Sequence, residues 1–183
     1  MDLQQCFPYL SLPPSLVVII IAALPVVELR GAIPVAINAL DFPWYSALLF
    51  AVIGNMLPVP FILHLLNWLV DVLGRYSLFN RLFEWVFYRT RAKSGLIKRY
   101  KKLGLTLFVA IPLPMTGAWT GAIAAVLLGI PFNEALRHIF IGVILAGVIV
   151  TALSVMGWWG AFIAVLAILT ILIVNIVRRR PLS

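Results

Sequence analysis

The sequence predicts an all-α, polytopic integral membrane protein. Two inverted repeats, each a re-entrant hairpin followed by a span, precede a final transmembrane helix. Three observations predict this. The 183 residues are 63% hydrophobic and 11% charged, with a mean hydropathy of +1.10. A soluble domain is about half apolar and a quarter charged, so the polar residues needed to cover a water-soluble globule are missing. Several runs approach the ~20 apolar residues that cross a bilayer. Two of these runs are interrupted by polar and helix-breaking residues. The first interruption is Pro25-Val-Val-Glu28-Leu-Arg30-Gly31-Ala-Ile-Pro34, and the second is Ile111-Pro112-Leu-Pro114-Met-Thr116-Gly117-Ala-Trp119-Thr120-Gly121.

Taken in order, residues 1–14 form an interfacial lead-in. They contain one acid and no base, so the positive start of a signal peptide is not expected there. Residues 16–24 are apolar but too few to span. Pro25 and Pro34 remove backbone donors and disfavour a helix across them, and Gly31 permits a turn or close packing. Residues 16–40 therefore form either one broken helix or a hairpin that dips in and returns. Asp41 to Tyr45 make an interfacial turn. Residues 46–73 span, with a kink near Pro58 and Pro60. Residues 75–102 alternate apolar and basic positions at helical spacing, as in an amphipathic helix lying on the membrane surface. Residues 103–111 are again too short, and 122–130 complete the second broken run. Residues 135–156 span, Trp158 and Trp159 mark an interface, and 161–177 form the last span before Arg178–Arg180.

The whole of 1–183 is one membrane domain. It divides into a first repeat (16–73), a basic segment (75–102), a second repeat (103–156) and the last span (161–177). The repeat is visible in the residues. Gly31-Ala-Ile leads to Pro43, and Gly121-Ala-Ile leads to Pro131. Beyond these prolines Ala47-Leu48 and Ile53-Gly54 match Ala135-Leu136 and Ile141-Gly142 without a gap.

The net charge of +8 marks membrane topology rather than nucleic-acid binding. Nine of the 14 Lys and Arg lie between Arg75 and Lys102, and three form the tail. Basic clusters beside spans mark the cytoplasmic side and attract anionic lipid headgroups. Two re-entrant breaks put both clusters on one face, whereas two spanning breaks put them on opposite faces. Charge bias thus favours re-entrant breaks and a cytoplasmic C-terminus. Non-helical backbone at that depth must be covered by protein, either the three spans or a second subunit in a homodimer.

A charge at the bilayer centre costs about 2.5–3.5 kcal/mol on insertion scales, so Glu28 and Arg30 need a reason. As a site, Glu28 binds a proton or a cationic group, and Arg30 binds an anionic group or holds the carboxylate ready. Desolvation favours the neutral form of a carboxyl and a nearby cation the ionised form, a balance suited to a proton-coupled carrier. As structure, the two charges clamp the break, reaching free backbone groups of the other hairpin. Thr116, Trp119 and Thr120 offer a polar lining opposite them, or simply pack. Gly117 and Gly121 allow close backbone approach. Pro112 and Pro114 free carbonyls that can accept from Arg30. Asn55 and His64 suit interhelical hydrogen bonds. One cysteine, Cys6, excludes an internal disulfide, and two histidines give no metal-ligand spacing, so no metal or cofactor is expected. No Gly-x-Ser-x-Gly elbow is present, and enzyme chemistry is not expected.

The two motifs resemble those of the small multidrug export protein family of bacteria and archaea, over residues 16–156. That resemblance implies export of small, drug-like molecules. The layout is more loosely similar to the DedA family, which implies proton-dependent movement of lipid carriers. The second break lacks the acid or Arg of that pattern. The contrasting class is a membrane protein that organises structure or lipid without a transport cycle.

Overall fold

The computed structural model describes residues 12–73, 95–113 and 116–157, with residues 159, 160, 162, 165, 166 and 170. Most of the basic segment, Pro114, most of the last span and the Arg178–Arg180 tail lie outside the described residues. Among the described residues every regular element is a helix: α1 (Pro14–Ala23), α2 (Glu28–Asn38), α3 (Trp44–Met56), α4 (Pro58–Leu73), α5 (Gly95–Ala110), α6 (Ala118–Leu127) and α7 (Phe132–Val155).

Prolines set most of the boundaries. Pro14 opens α1, where its missing N–H and fixed φ do no harm. The helix ends before Pro25, and Leu24 is extended (φ −69°, ψ 138°), as a residue preceding proline prefers. Pro43 and Pro131 cap α3 and α7 with nearly the same backbone, φ −60°, ψ 141° and φ −58°, ψ 147°. Pro58 and Pro60 interrupt the path between α3 and α4 at Leu57, where the sequence places a kink.

Pro34 behaves differently from the expectation. It lies inside α2 rather than framing the break, because one missing N–H leaves only the Arg30 carbonyl without its helical donor. The break occupies Leu24–Val27. The basic residues Lys101 and Lys102, the end of the basic segment, continue without a break into the apolar residues that follow. They belong to α5, which continues unbroken to Ala110.

Helix length sorts the elements. The stretch Trp44–Val70 (27 residues) and α7 (24 residues) are long and apolar enough to cross a membrane. Helices α1, α2 and α6 have 10, 11 and 10 residues, about 15 Å of helix against a hydrocarbon core of about 30 Å. Helix α1 packs on α3 and α5 packs on α7, while α2 reaches α7 and α6 reaches α4. Small residues permit this closeness, with Ala22, Ala32, Ala47, Ala118, Ala122 and Ala135 fully buried. A Cβ on Gly54 would meet the Ile19 carbonyl and Ala22 of α1. One on Gly142 would meet the Thr106 carbonyl and Val109 of α5.

Burial follows the same spacing in both halves. Ala47, Ala51, Gly54, Asn55, Val59 and Leu63 are buried. So are Ala135, Ile139, Gly142, Val143, Gly147 and Thr151, which stand at the same distances from Pro131 as the first six do from Pro43.

Candidate functional site

The two breaks meet. The first joins α1 to α2 through Leu24–Val27, and the second joins α5 to α6 across residues 111–117. Each leaves helix ends whose backbone groups have no partner within their own helix. Those ends are met by side chains from the opposite break.

Arg30, in the first turn of α2, reaches the end of α5. Its guanidinium donates to the Leu113 carbonyl, to the Ile111 carbonyl at 3.4 Å and to Thr116 Oγ1 at 3.1 Å. A cation thus sits at the negative end of a helix. The Thr116 hydroxyl lies 2.7 Å from the Ile111 carbonyl and 2.9 Å from the Leu113 carbonyl, so its one proton serves the same cluster. Pro112 lies between these acceptors. The carbonyls near the second break accept from Arg30, one of the roles expected for them.

Glu28 does the converse. Its carboxylate, in a residue only 4% exposed, faces the first N–H groups of α6. The Trp119 N–H donates to Oε1 at a long 3.5 Å, and the Ala118 N–H also points at the carboxyl. An anion sits at the positive end of a helix, where the N-cap Gly117 has no side chain to offer and Thr120 of α6 takes only the Gly117 N–H. Gly117, the N-cap of α6, makes the approach possible, since a Cβ there would overlap the Glu28 carboxylate. Its φ of −177° is ordinary extended backbone, so glycine answers space here and not strain. Glu28 itself has a φ of +51°, a left-handed conformation that costs a non-glycine residue about 1–2 kcal/mol.

Trp119 makes the third crossing. Its indole N–H donates 3.2 Å to the Ala23 carbonyl at the end of α1. Thr120 turns back on its own helix instead, its hydroxyl accepting from the Gly117 N–H at 2.9 Å. Gly31 and Gly121 serve packing. The first lies against Val27 and the second against Val109 of α5. Pro25 holds the turn, and Pro34 stands further along α2.

The cluster leaves two polar atoms idle. Among the described residues, Glu28 Oε2 and Arg30 Nε are buried without a hydrogen-bond partner. Both atoms of the Asn55 carboxamide on α3 are in the same state, although the sequence suggests an interhelical bond there. His64 faces outward on α4.

A family described as "Putative small multi-drug export protein" matches residues 28–149. The chain belongs to this family. No curated protein matches the chain, and neither does any solved structure. The family match begins at Glu28, so it takes in Arg30 and the whole second break but not α1 or Pro25. Sequence reasoning places Glu28, Arg30, Thr116 and Trp119 together. It assigns Gly117 only to close packing, because the partner carboxylate, on Glu28, is far away in the chain. A second polar cluster also escapes it. Thr106 Oγ1 lies 2.9 Å from His138 Nδ1, and Lys102 Nζ lies 2.6 Å from Glu134, so the charged face of α7 is tied to α5.

Proposed function

We propose that this protein is a secondary transporter of the prokaryotic plasma membrane that exports small or drug-like molecules, driven by protons, through a site at the two breaks. The family supports the general export role. The observation that carries the finer reading is the buried Glu28 carboxylate. It is held at a helix end contributed by the other half of the chain, with one oxygen free. In this reading both breaks are re-entrant and the halves are inverted, with 75–102 and the C-terminus cytoplasmic. The half-length helices α1, α2 and α6 and the basic clusters support it. The basic segment rests on anionic lipid, and a homodimer covers what the spans leave open. The protein is a carrier and not an enzyme.

Purified protein in liposomes with an internal pH dye tests this. Drug-driven proton flux that disappears in Glu28→Gln, with folding intact, is the expected result. Unchanged flux in Glu28→Gln sinks it. With Cys6 replaced, Ser183→Cys should label only from the cytoplasmic side, and labelling only from outside would overturn the re-entrant arrangement.

The cross-break hydrogen bonds favour a second reading, a structural clamp without a cycle. It predicts that Glu28→Gln and Arg30→Ala unfold the protein and alter no flux. A lipid-carrier substrate, as the DedA-like layout suggests, is tested in the same liposomes with a fluorescent polyprenyl phosphate.

A further inference from the structure

We propose that the Glu28 carboxylate is the resident occupant of an anion site. The site is built by the N-terminus of α6 and the Arg30 guanidinium. The transported molecule carries a carboxylate or phosphate group that takes over this site when Glu28 is protonated. The inference deepens the transport reading and rests on it.

The site has donors on both sides. From α6 come the Ala118 and Trp119 N–H groups, with Gly117 leaving the approach open. From α2 comes Arg30. Its terminal nitrogens are tied to Ile111, Leu113 and Thr116, so the cation is fixed in place. Its Nε is buried and idle, a donor waiting for an acceptor. The present occupant fills the site badly. Glu28 reaches the N–H groups at a long distance, leaves Oε2 idle, and sits on left-handed backbone to get there.

Charge balance couples this to the proton. With Glu28 ionised the pair is neutral. With Glu28 protonated, Arg30 and the α6 end are left uncompensated in a low-dielectric setting, which is costly. One monoanion restores neutrality, so proton and anion bind together, and each raises the affinity of the other by the same factor. Neighbouring groups do not blur the balance. Of the elements against Glu28, α1 and α6 carry no titratable side chain, and α3 carries only the exposed Tyr45. Helix α7 carries Glu134, Arg137 and His138 in its first two turns, where Glu134 and His138 engage α5. On α4, His64 faces outward and Asp71 stands in the last turn, and α5 carries Lys98, Arg99, Tyr100, Lys101 and Lys102 in its first two turns, away from the break at its other end.

Calorimetric titration of the purified protein tests this, with benzoate, inorganic phosphate, and nanodiscs containing phosphatidic acid as the probes. Wild type should bind at least one probe about tenfold more tightly per unit of acidification across the range in which Glu28 titrates. Glu28→Gln should bind it with the tight affinity at every pH. Arg30→Gln should weaken binding at least about tenfold at every pH, and Arg30→Lys, which keeps the charge without the fork, should fall between. Circular dichroism and gel filtration select the folded variants. Binding of benzoate or phosphate assigns the site to soluble anions, and binding of phosphatidic acid alone assigns it to lipid headgroups. Wild-type affinity that ignores pH, or Glu28→Gln that binds no more tightly than alkaline wild type, overturns the proposal. Proton-linked binding without flux would overturn transport and leave the anion site standing. Flux without it would do the reverse.

Discussion

Replacing Gly117 with alanine adds one methyl group at the point where the two breaks touch. A Cβ there would occupy the space of the Glu28 carboxylate. The carboxylate must withdraw, because the alternative is to move the first turn of α6, whose Gly121 lies against Val109 of α5. Crowding a packed contact costs about 1–3 kcal/mol. Losing a hydrogen bond to a charged group costs about 1.5–3 kcal/mol. The two overlap here, so the expected loss is roughly 2–4 kcal/mol, read as a shift in SDS-induced unfolding of the purified protein. Gly104→Ala is the control. It lies within α5 with nothing inside 4 Å of the added atom, and it should gain about 0.5–1 kcal/mol from helix propensity. A double-mutant cycle then isolates the contact. In a Glu28→Ala background the carboxylate is gone, and Gly117→Ala should lose most of its cost, a coupling of about 1–3 kcal/mol. Equal cost in both backgrounds would refute the reasoning, and so would a Gly117→Ala protein as stable as wild type.

Trp119→Phe removes the indole donor to Ala23 and replaces the indole with a smaller aromatic ring, and should lower stability by about 1–3 kcal/mol in the same unfolding assay. Gly142→Ala places a Cβ 2.7 Å from Val109 Cβ and 2.9 Å from the Thr106 carbonyl. Those are a helix backbone and a stiff side chain, so a loss of about 1–3 kcal/mol is expected. Lys102→Met breaks the 2.6 Å pair with Glu134, but both side chains are about a third exposed, and the loss should stay under about 1 kcal/mol and shrink with salt.

The breaks are legible in the sequence because their residues are expensive in lipid. Nothing apolar explains Glu28, Arg30 and four prolines, and a chain with two such stretches satisfies them most simply by bringing them together. What the sequence does not disclose is how each residue is used. Pro34 reads as a boundary, yet a helix survives one missing donor. Sequence cannot separate a lost bond from a stopped helix. Residues 98–102 read as the end of the basic segment, and no local pattern shows that α5 carries them and the apolar 103–110 on one axis. The Thr120 hydroxyl could turn either way, and the nearer acceptor and donor on Gly117 win. The burial of Asn55 without a partner follows from its neighbours in space, which no local pattern encodes.

The three crossings bear on the choice between clamp and carrier. Each half of the chain supplies what the other half's helix ends lack: Glu28 serves α6, Arg30 serves the end of α5, and Trp119 serves α1. Neither break can open alone without leaving helix-end backbone groups of the other half unpaired. The contacts therefore behave as a clamp whatever else they do. They differ in how they can be released. An arginine stays charged and a neutral indole does not titrate, so those two crossings have no chemical switch. A carboxylate can be neutralised by a single proton, and Glu28 is also the crossing with the longest hydrogen bond, an idle oxygen and strained backbone. The weakest member of the clamp is thus the one that a proton can cancel. For this reason Glu28→Gln separates the two readings. In a pure clamp it costs stability and nothing more, whereas in a carrier it holds the protein in the released state and removes the response to pH.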